Sequence, residues 1–478
     1  MFLGLAPRKE ERGKIVKLGK RQIGFIAGLV VFAIIFFSPA SGFFDGLTYE
    51  GKTCLALSLM TVVFWATGVA QNGFIAGAYL ALLVIMKVAE PADVFYAWTG
   101  TTMWLVIGAY LIANAVKTSG LGERIAYNYM YRFVKDYKSV IIGIFVLTVI
   151  LSLLIPHPWP RAFLILSVMG VVMKSSNMTP ADCVKVGFCV FAASVPASLI
   201  FITGDAVINP LAASYGGGAT FIQWFLYMGV PGVVITILTL ILFLVLFKPE
   251  QEYSVDKDEI QAKIDGLGAM TTVEKKTLAW IVLAIVLWLT EGVHGINIGW
   301  VTLIVGMLMS FPFIGDVLTA KDWGAVPIHV LVFLTAAMAI GKVGGITGMN
   351  EWIANTIFPS TAPSNLFILA AFIVLMSIII HMLLGSVIAV MGVAVPAILA
   401  FTSPLGLNAM APTLICYMAV AAHYMFPFQH LNTLVGAAPD TGNYTQKETL
   451  KLGAALIPAL FVVCVLVMVP WFQIIGLF

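Results

Sequence analysis

The chain of 478 residues is 60% hydrophobic and only 10% charged, against about 25% charged residues in a soluble domain. That excludes a soluble globular protein and leaves enough apolar residues for many membrane crossings at about 20 residues each. The net charge of +3 comes from 26 basic and 23 acidic residues gathered in a few blocks, which excludes a polyanion-binding groove and nucleic acid as a partner.

The N-terminal segment, residues 1–21, is basic and has no apolar core long enough for a cleavable signal, so it is expected to remain on the protein in the cytoplasm. A first span and its loop occupy 22–52. The first repeat, 53–249, opens with apolar runs near 53–71, 73–88 and 98–117 and an amphipathic stretch at 121–137. Residues 138–177 then run apolar into IPHPWPRAF and out again, with Pro156, Pro158 and Pro160 crowded at the middle. Proline lacks an amide donor and clashes with the preceding turn, so the spacing predicts two half-helices joined by a tip, entering and leaving on one side. A broken span at 181–213 carries the polar stretch ITGDAVINP (202–210), and a further apolar run covers 219–248. A charged cytoplasmic linker, 250–276, follows.

The second repeat, 277–478, has the same order: runs at 277–293, 296–313 and 326–345, an amphipathic piece at 349–358, a hairpin at 364–402, a broken span at 407–441 and a last run at 447–477. Trp65-x-Thr67 answers Trp288-x-Thr290, Trp98 answers Trp323, SGLGERIA (119–126) answers TGMNEWIA (347–354), and Asn209 answers Asn432, at offsets of 223 to 228 residues. With re-entrant hairpins an odd number of crossings separates corresponding points, which makes the repeat inverted. Basic residues gather in the segments this topology puts inside, so the N-terminus is expected in the cytoplasm and the C-terminus outside the cell membrane. The expected fold is an all-α polytopic membrane protein with about 11 transmembrane helices and two re-entrant hairpins.

Irregular backbone at membrane depth is tolerated where it is buried or lines a wet cavity. Four stretches qualify: the tips 155–163 and 383–392, and the polar breaks 202–210 and 426–436. Half-helix ends there offer free amides to anions and free carbonyls to small cations. Ionisable groups at that depth need a reason, since an unpaired charge costs at least about 2.5–3.5 kcal/mol. Arg161 and Asp205 form a buried ion pair, or Arg161 stands as a fixed positive charge beside an anion; the two are compatible. His157 at the first tip can donate to a carboxylate, titrate near neutral pH or serve as a structural hydrogen-bonder. His430, Gln429, Asn432 and Thr433 sit in the second break, while His381, His423 and Glu291 read as structural. The five cysteines show no paired spacing and read as small apolar residues, with no disulfide framework or zinc site.

The order of elements, the Trp-x-Thr start of each repeat, the TSGLGERIA arm, the paired hairpins and the Asn in each broken span resemble the divalent anion/sodium symporter family of dicarboxylate, citrate and sulfate carriers. The resemblance covers nearly the whole chain. It implies a homodimer of elevator carriers whose hairpins belong to a moving domain, with a small anion, most often a C4 or C5 dicarboxylate, as substrate. It implies no cofactor beyond a possible coupling sodium ion. The family usually has a Ser-Asn-Thr motif at each tip. Here the first tip shows Pro156, His157 and Pro158, and the second keeps Ser386 followed by Val387 and Ile388. Of the family's broken-span residues, Thr203 with Asn209 and His430-Leu431-Asn432 survive. Carried over position by position, substrate contacts fall on Ser386, Asn209 and Asn432, with His157, Arg161, Thr203 and Thr433 beside them and a sodium near Ser386 and Asn432. Arg161, Asp205 and His430 are the candidates for coupling; a fixed guanidinium or protonated imidazole at the first tip would make the carrier an exchanger or proton-coupled.

An intramembrane hydrolase built on Ser386 and His381 lacks an orienting acid nearby. A channel is disfavoured by two dissimilar tips without a ring of identical carbonyls.

Overall fold

The computed structural model describes residues 19–39 and 41–478. Most of the basic N-terminal segment, including Arg8, Lys9, Arg12, Lys14 and Lys17, lies outside the described residues. Capping residues and prolines set the helix ends. Helices α1 (Lys20–Phe37), α2 (Tyr49–Thr67), α3 (Asn72–Ile85) and α4 (Thr102–Ser119) lead to the amphipathic α5 (Leu121–Phe133). The chain bends by 63° at Gly120 between α4 and α5, where glycine takes φ +83°, a left-handed conformation that costs it little.

The first hairpin is α6 (Tyr137–Leu154) and α7 (Pro158–Ser175). Asp136 caps α6 by accepting from the Ser139 amide at 2.8 Å. Its other end stops at Ile155, where the prolines begin. Then come α8 (Pro180–Ala197), a 3-10 turn at Ile202–Asp205, α9 (Ile208–Tyr215), α10 (Phe221–Leu246) and the linker helix α11 (Lys257–Leu267). The second half runs α12 (Thr272–Leu289), α13 (Ile298–Leu308), α14 (Ile328–Ile346) and α15 (Met349–Ile357), then the second hairpin, α16 (Leu366–Leu384) and α17 (Val387–Thr402). It closes with α18 (Met410–Ala421), a 3-10 turn at Pro427–Gln429, α19 (Leu431–Gly436) and α20 (Gln446–Ile474).

Among the described residues, eight helices are long and apolar enough to cross a membrane, or nine with the bent pair α4–α5 taken as one span. The protein is therefore an all-helical, multi-pass membrane protein. Each hairpin arm has 16 to 19 residues, about 24–29 Å at 1.5 Å per residue, close to the thickness of the hydrocarbon core.

The two halves interlock by exchange: α3 of the first packs on α14 of the second, and α13 of the second packs on α4 of the first. Glycines make both crossings close. A Cβ on Gly73 would stand 2.8 Å from His329, and one on Gly299 would stand 2.6 Å from the Thr101 carbonyl. These two glycines occupy corresponding positions in the halves, so the same backbone approach occurs twice. Beside this frame, α6 and α7 pack on α8, and α16 and α17 pack on α18, which draws both hairpins and both breaks into one body.

Candidate functional site

Four helix starts meet at one hollow of about 310 Å³. The first residues of α7 and α17 come from the hairpin tips, and those of α9 and α19 from the breaks. The N-cap residues His157, Ser386 and His430, and Asp205 just ahead of α9, all line the hollow, together with Trp159, Val387, Ile388 and Asn432. The opposite wall belongs to the frame and includes Trp65, Asn72 and Tyr110, with Lys20 at its edge.

Three of the four starts are closed by their own caps. His157 Nδ1 accepts from the Trp159 amide at 3.2 Å. The neutral ring then carries its proton on Nε2, which donates to the Tyr110 hydroxyl at 2.6 Å. Pro158 and Pro160 have no amide hydrogen, so the first tip keeps no free donor in its opening residues beyond the one His157 takes. Asp205 Oδ1 accepts from the amides of Val207 (3.0 Å) and Ile208 (3.3 Å) at the start of α9. His430 Nδ1 accepts from the Asn432 amide at 3.3 Å, which leaves its Nε2 hydrogen without a partner among the described residues.

The second tip is open. Gly385 turns the chain at φ +62°, and Ser386 stands at the cap position with no side-chain cap bond. The amides of Val387 and Ile388, at the start of the 16-residue α17, have no acceptor among the described residues. Free amides at a helix start, backed by the dipole, are an anion seat. Ser386 and His430 add a hydroxyl and a neutral N–H to its rim. A buried atom also points to a ligand: Asn432, 1% exposed, donates through Nδ2 to the Phe191 carbonyl at 3.1 Å, while its Oδ1 has no partner.

The expected ion pair is corrected. Arg161, fully buried, makes no ion pair with Asp205; those found among the described residues are Arg124–Glu274, Lys185–Asp182 and Lys276–Asp316. Its guanidinium instead donates to the carbonyls of Ile155 (3.2 Å) and Gly204 (3.1 Å) and to the hydroxyls of Ser194 (3.3 Å) and Ser198 (2.5 Å). It pins the first tip to the first break from behind, helped by the Ala206 amide donating to the Pro156 carbonyl at 3.2 Å.

Arg161, Thr203, Asn209 and Thr433 are not among the residues lining the hollow, because each turns into the packing instead. Asn209 donates to the carbonyls of Ser198 and Phe201, both at 2.8 Å, and accepts from the Tyr417 hydroxyl. Thr433 donates to the carbonyls of Pro427 (2.9 Å) and His430 (2.8 Å). Thr203 is fully buried with an unpartnered hydroxyl. His381 and Gln429 brace the second break as structural groups: His381 Nε2 donates to the Gln429 carbonyl at 3.1 Å, and Gln429 Oε1 accepts from the amides of Met425 and Phe426.

Residue-level reading of the sequence missed Tyr110, Tyr417 and the two free amides. Tyr110 lies 47 residues from the ring it meets, and a main-chain amide has no letter of its own. The only local signal was negative: the second tip has no proline where the first has three.

Residues 20–478 match the family model described as the sodium:sulfate symporter transmembrane region. The chain is 25% identical to dicarboxylate transporter 1, chloroplastic, of Arabidopsis thaliana, over 87% of this chain and 75% of that protein. It is 21% identical to the sodium-dependent dicarboxylate transporter SdcS of Staphylococcus aureus, over 69% of each. The crystal structure of the YdaH transporter of Alcanivorax borkumensis is similar in fold, with a TM-score of 0.50 at 14% identity, covering 89% of this chain and 99% of that one.

Proposed function

The chain belongs to the sodium:sulfate symporter family, a family of membrane transporters and not of enzymes, and from that premise we propose that it is an elevator-type secondary carrier of C4 or C5 dicarboxylates. The observation that carries this reading is the open start of α17 beside Ser386 and His430, in a hollow that both tips and both breaks enclose. A carboxylate takes the free amides of Val387 and Ile388. The relatives named dicarboxylate transporters support the substrate class. Sulfate is the second reading, favoured by a single open helix start that suits one compact oxyanion.

In this reading the hairpins are re-entrant, about 11 spans cross the bilayer, and the repeat is inverted, supported by the exchanged packing of α3 on α14 and α13 on α4. The N-terminus lies in the cytoplasm and the C-terminus outside the cell membrane, as the basic segments favour. The hairpins, breaks and α8, α10, α18 and α20 move as one body against the frame of a homodimer. A sodium ion travels with the substrate near Asn432 Oδ1 and the Ser386 hydroxyl, two uncharged oxygens that suit a hard cation; exchange is the alternative mode. Arg161 holds the first tip and does not touch the substrate.

Purified protein in liposomes preloaded with malate, succinate or sulfate tests the proposal. The expected result is saturable uptake accelerated by solute on the far side, with a sodium gradient raising it. Ion currents without counterflow, or no uptake of any of the three, would overturn it.

A further inference from the structure

We infer that the hollow selects a solute that brings a hydrogen-bond donor, a hydroxyl or an ammonium beside its carboxylate, to Asp205. This rests on the anion-carrier reading above and names its substrate class more closely. Asp205 is 5% exposed and lines the hollow from the first break. Its Oδ1 is taken by the amides of Val207 and Ile208. Its Oδ2 has no hydrogen-bond partner among the described residues, and the nearby cation, Arg161, makes no bond to it: Nη1 and Nη2 donate to the Ile155 and Gly204 carbonyls and to two serines, and Nε has no partner among the described residues.

An ionised carboxylate only accepts, so the group facing Oδ2 has to supply a hydrogen. A plain dicarboxylate has acceptors alone. It satisfies the donors at the start of α17 and sets its remaining oxygens against Asp205. A four-carbon diacid with a hydroxyl or ammonium at C2 satisfies both kinds of wall. Sites built to bond a substrate O–H or N–H reject the analogue that lacks it, because the wall group is then left buried and unpaired.

Succinate, malate and aspartate share one carbon skeleton and differ at C2 as hydrogen, hydroxyl and ammonium, so they isolate the donor. Titrating each into the purified full chain and reading thermal stabilisation gives their relative affinities. Malate, aspartate or both should bind at least about ten-fold tighter than succinate. Whichever of the two prevails identifies the donor. Asp205→Asn keeps a side-chain carbonyl to cap α9, so it should fold; in it succinate should tighten and the advantage should shrink to about three-fold or less.

Equal affinities for the three in the unaltered protein would overturn the inference without reference to any variant. So would an advantage that survives Asp205→Asn, or an Asp205→Asn protein that loses only its sodium dependence, which would make the carboxylate a cation seat. Stabilisation by none of the three would overturn the dicarboxylate reading beneath it, a failure the liposome assay registers separately.

Discussion

The two hairpin tips occupy corresponding places in the two halves, yet one is closed and the other open. At the first, Pro158 and Pro160 remove amide hydrogens, His157 takes the one between them, and Arg161 ties the turn to the break behind it. At the second, Gly385 and Ser386 leave the start of α17 uncapped, with Val387 and Ile388 facing the hollow. The breaks repeat the contrast: both amide ends of Asn209 are spent on packing, whereas Asn432 keeps a free Oδ1. One architecture used twice thus divides the work, the first half supplying a rigid wall and the second a ligand seat.

That division makes opposite demands on mutation. Arg161→Ala is expected to have the largest effect, about 2–4 kcal/mol of stability, because buried carbonyls and hydroxyls lose their donor. Thermal unfolding should fall sharply while the protein that remains folded binds substrate as before; a loss of affinity at unchanged melting temperature would place Arg161 at the substrate instead. Val387→Pro with Ala389→Pro gives the second tip the proline pattern of the first. Proline is tolerated at a helix start, and the extended backbone of Ser386 (φ −150°, ψ 123°) already suits a following proline. Affinity should drop about 10- to 100-fold, the worth of a hydrogen bond to a charged group, with melting little changed. Unfolding, or intact affinity, would each break the comparison.

His157→Ala should cost about 1 kcal/mol through loss of the cap, and His157→Asn should restore most of it. Tyr110→Phe in the frame should leave melting nearly unchanged but alter the rate of uptake, since the Tyr110–His157 bond joins the frame to the first tip. The smallest effect lies outside the bilayer. Arg124 on α5 holds Glu274, in the first turn of α12, with contacts of 2.6 and 3.1 Å. Arg124, and then the capping contacts with Thr271, hold the Glu274 carboxyl down at about 2 against burial that raises it. A carboxylate held below its unfolded value stabilises the fold fully above that value. The contribution is therefore lost as pH falls from about 4.5 toward about 2, and Glu274→Gln should flatten the melting profile in that window. An unchanged profile would remove the pair from the account.

Much of the fold was legible because breaks in a membrane helix carry letters. Pro156, Pro158 and Pro160 announce the gap between α6 and α7. The family resemblance rested on such marks and on the paired tryptophans. The site was legible only in part. Ser386, His157, Asp205, His430 and Asn432 were singled out and do line the hollow. Arg161 and Asp205 suggested an ion pair by opposite charge, but Ser194, Ser198 and two carbonyls take the Nη1 and Nη2 groups of the guanidinium, and no residue count anticipates where carbonyls point. Asn209 and Asn432 are the same letter in corresponding places, and only the Tyr417 hydroxyl, far along the chain, separates a spent amide from a free one.

A cryo-electron-microscopy structure with bromosuccinate bound decides where the solute sits, since bromine marks it and its carboxylates can be placed. The result expected is a carboxylate about 3 Å from the amides of Val387 and Ile388, with Trp159 and Tyr110 walling the carbon chain. Carboxylates seated against the first tip, or density outside the hollow, would contradict it.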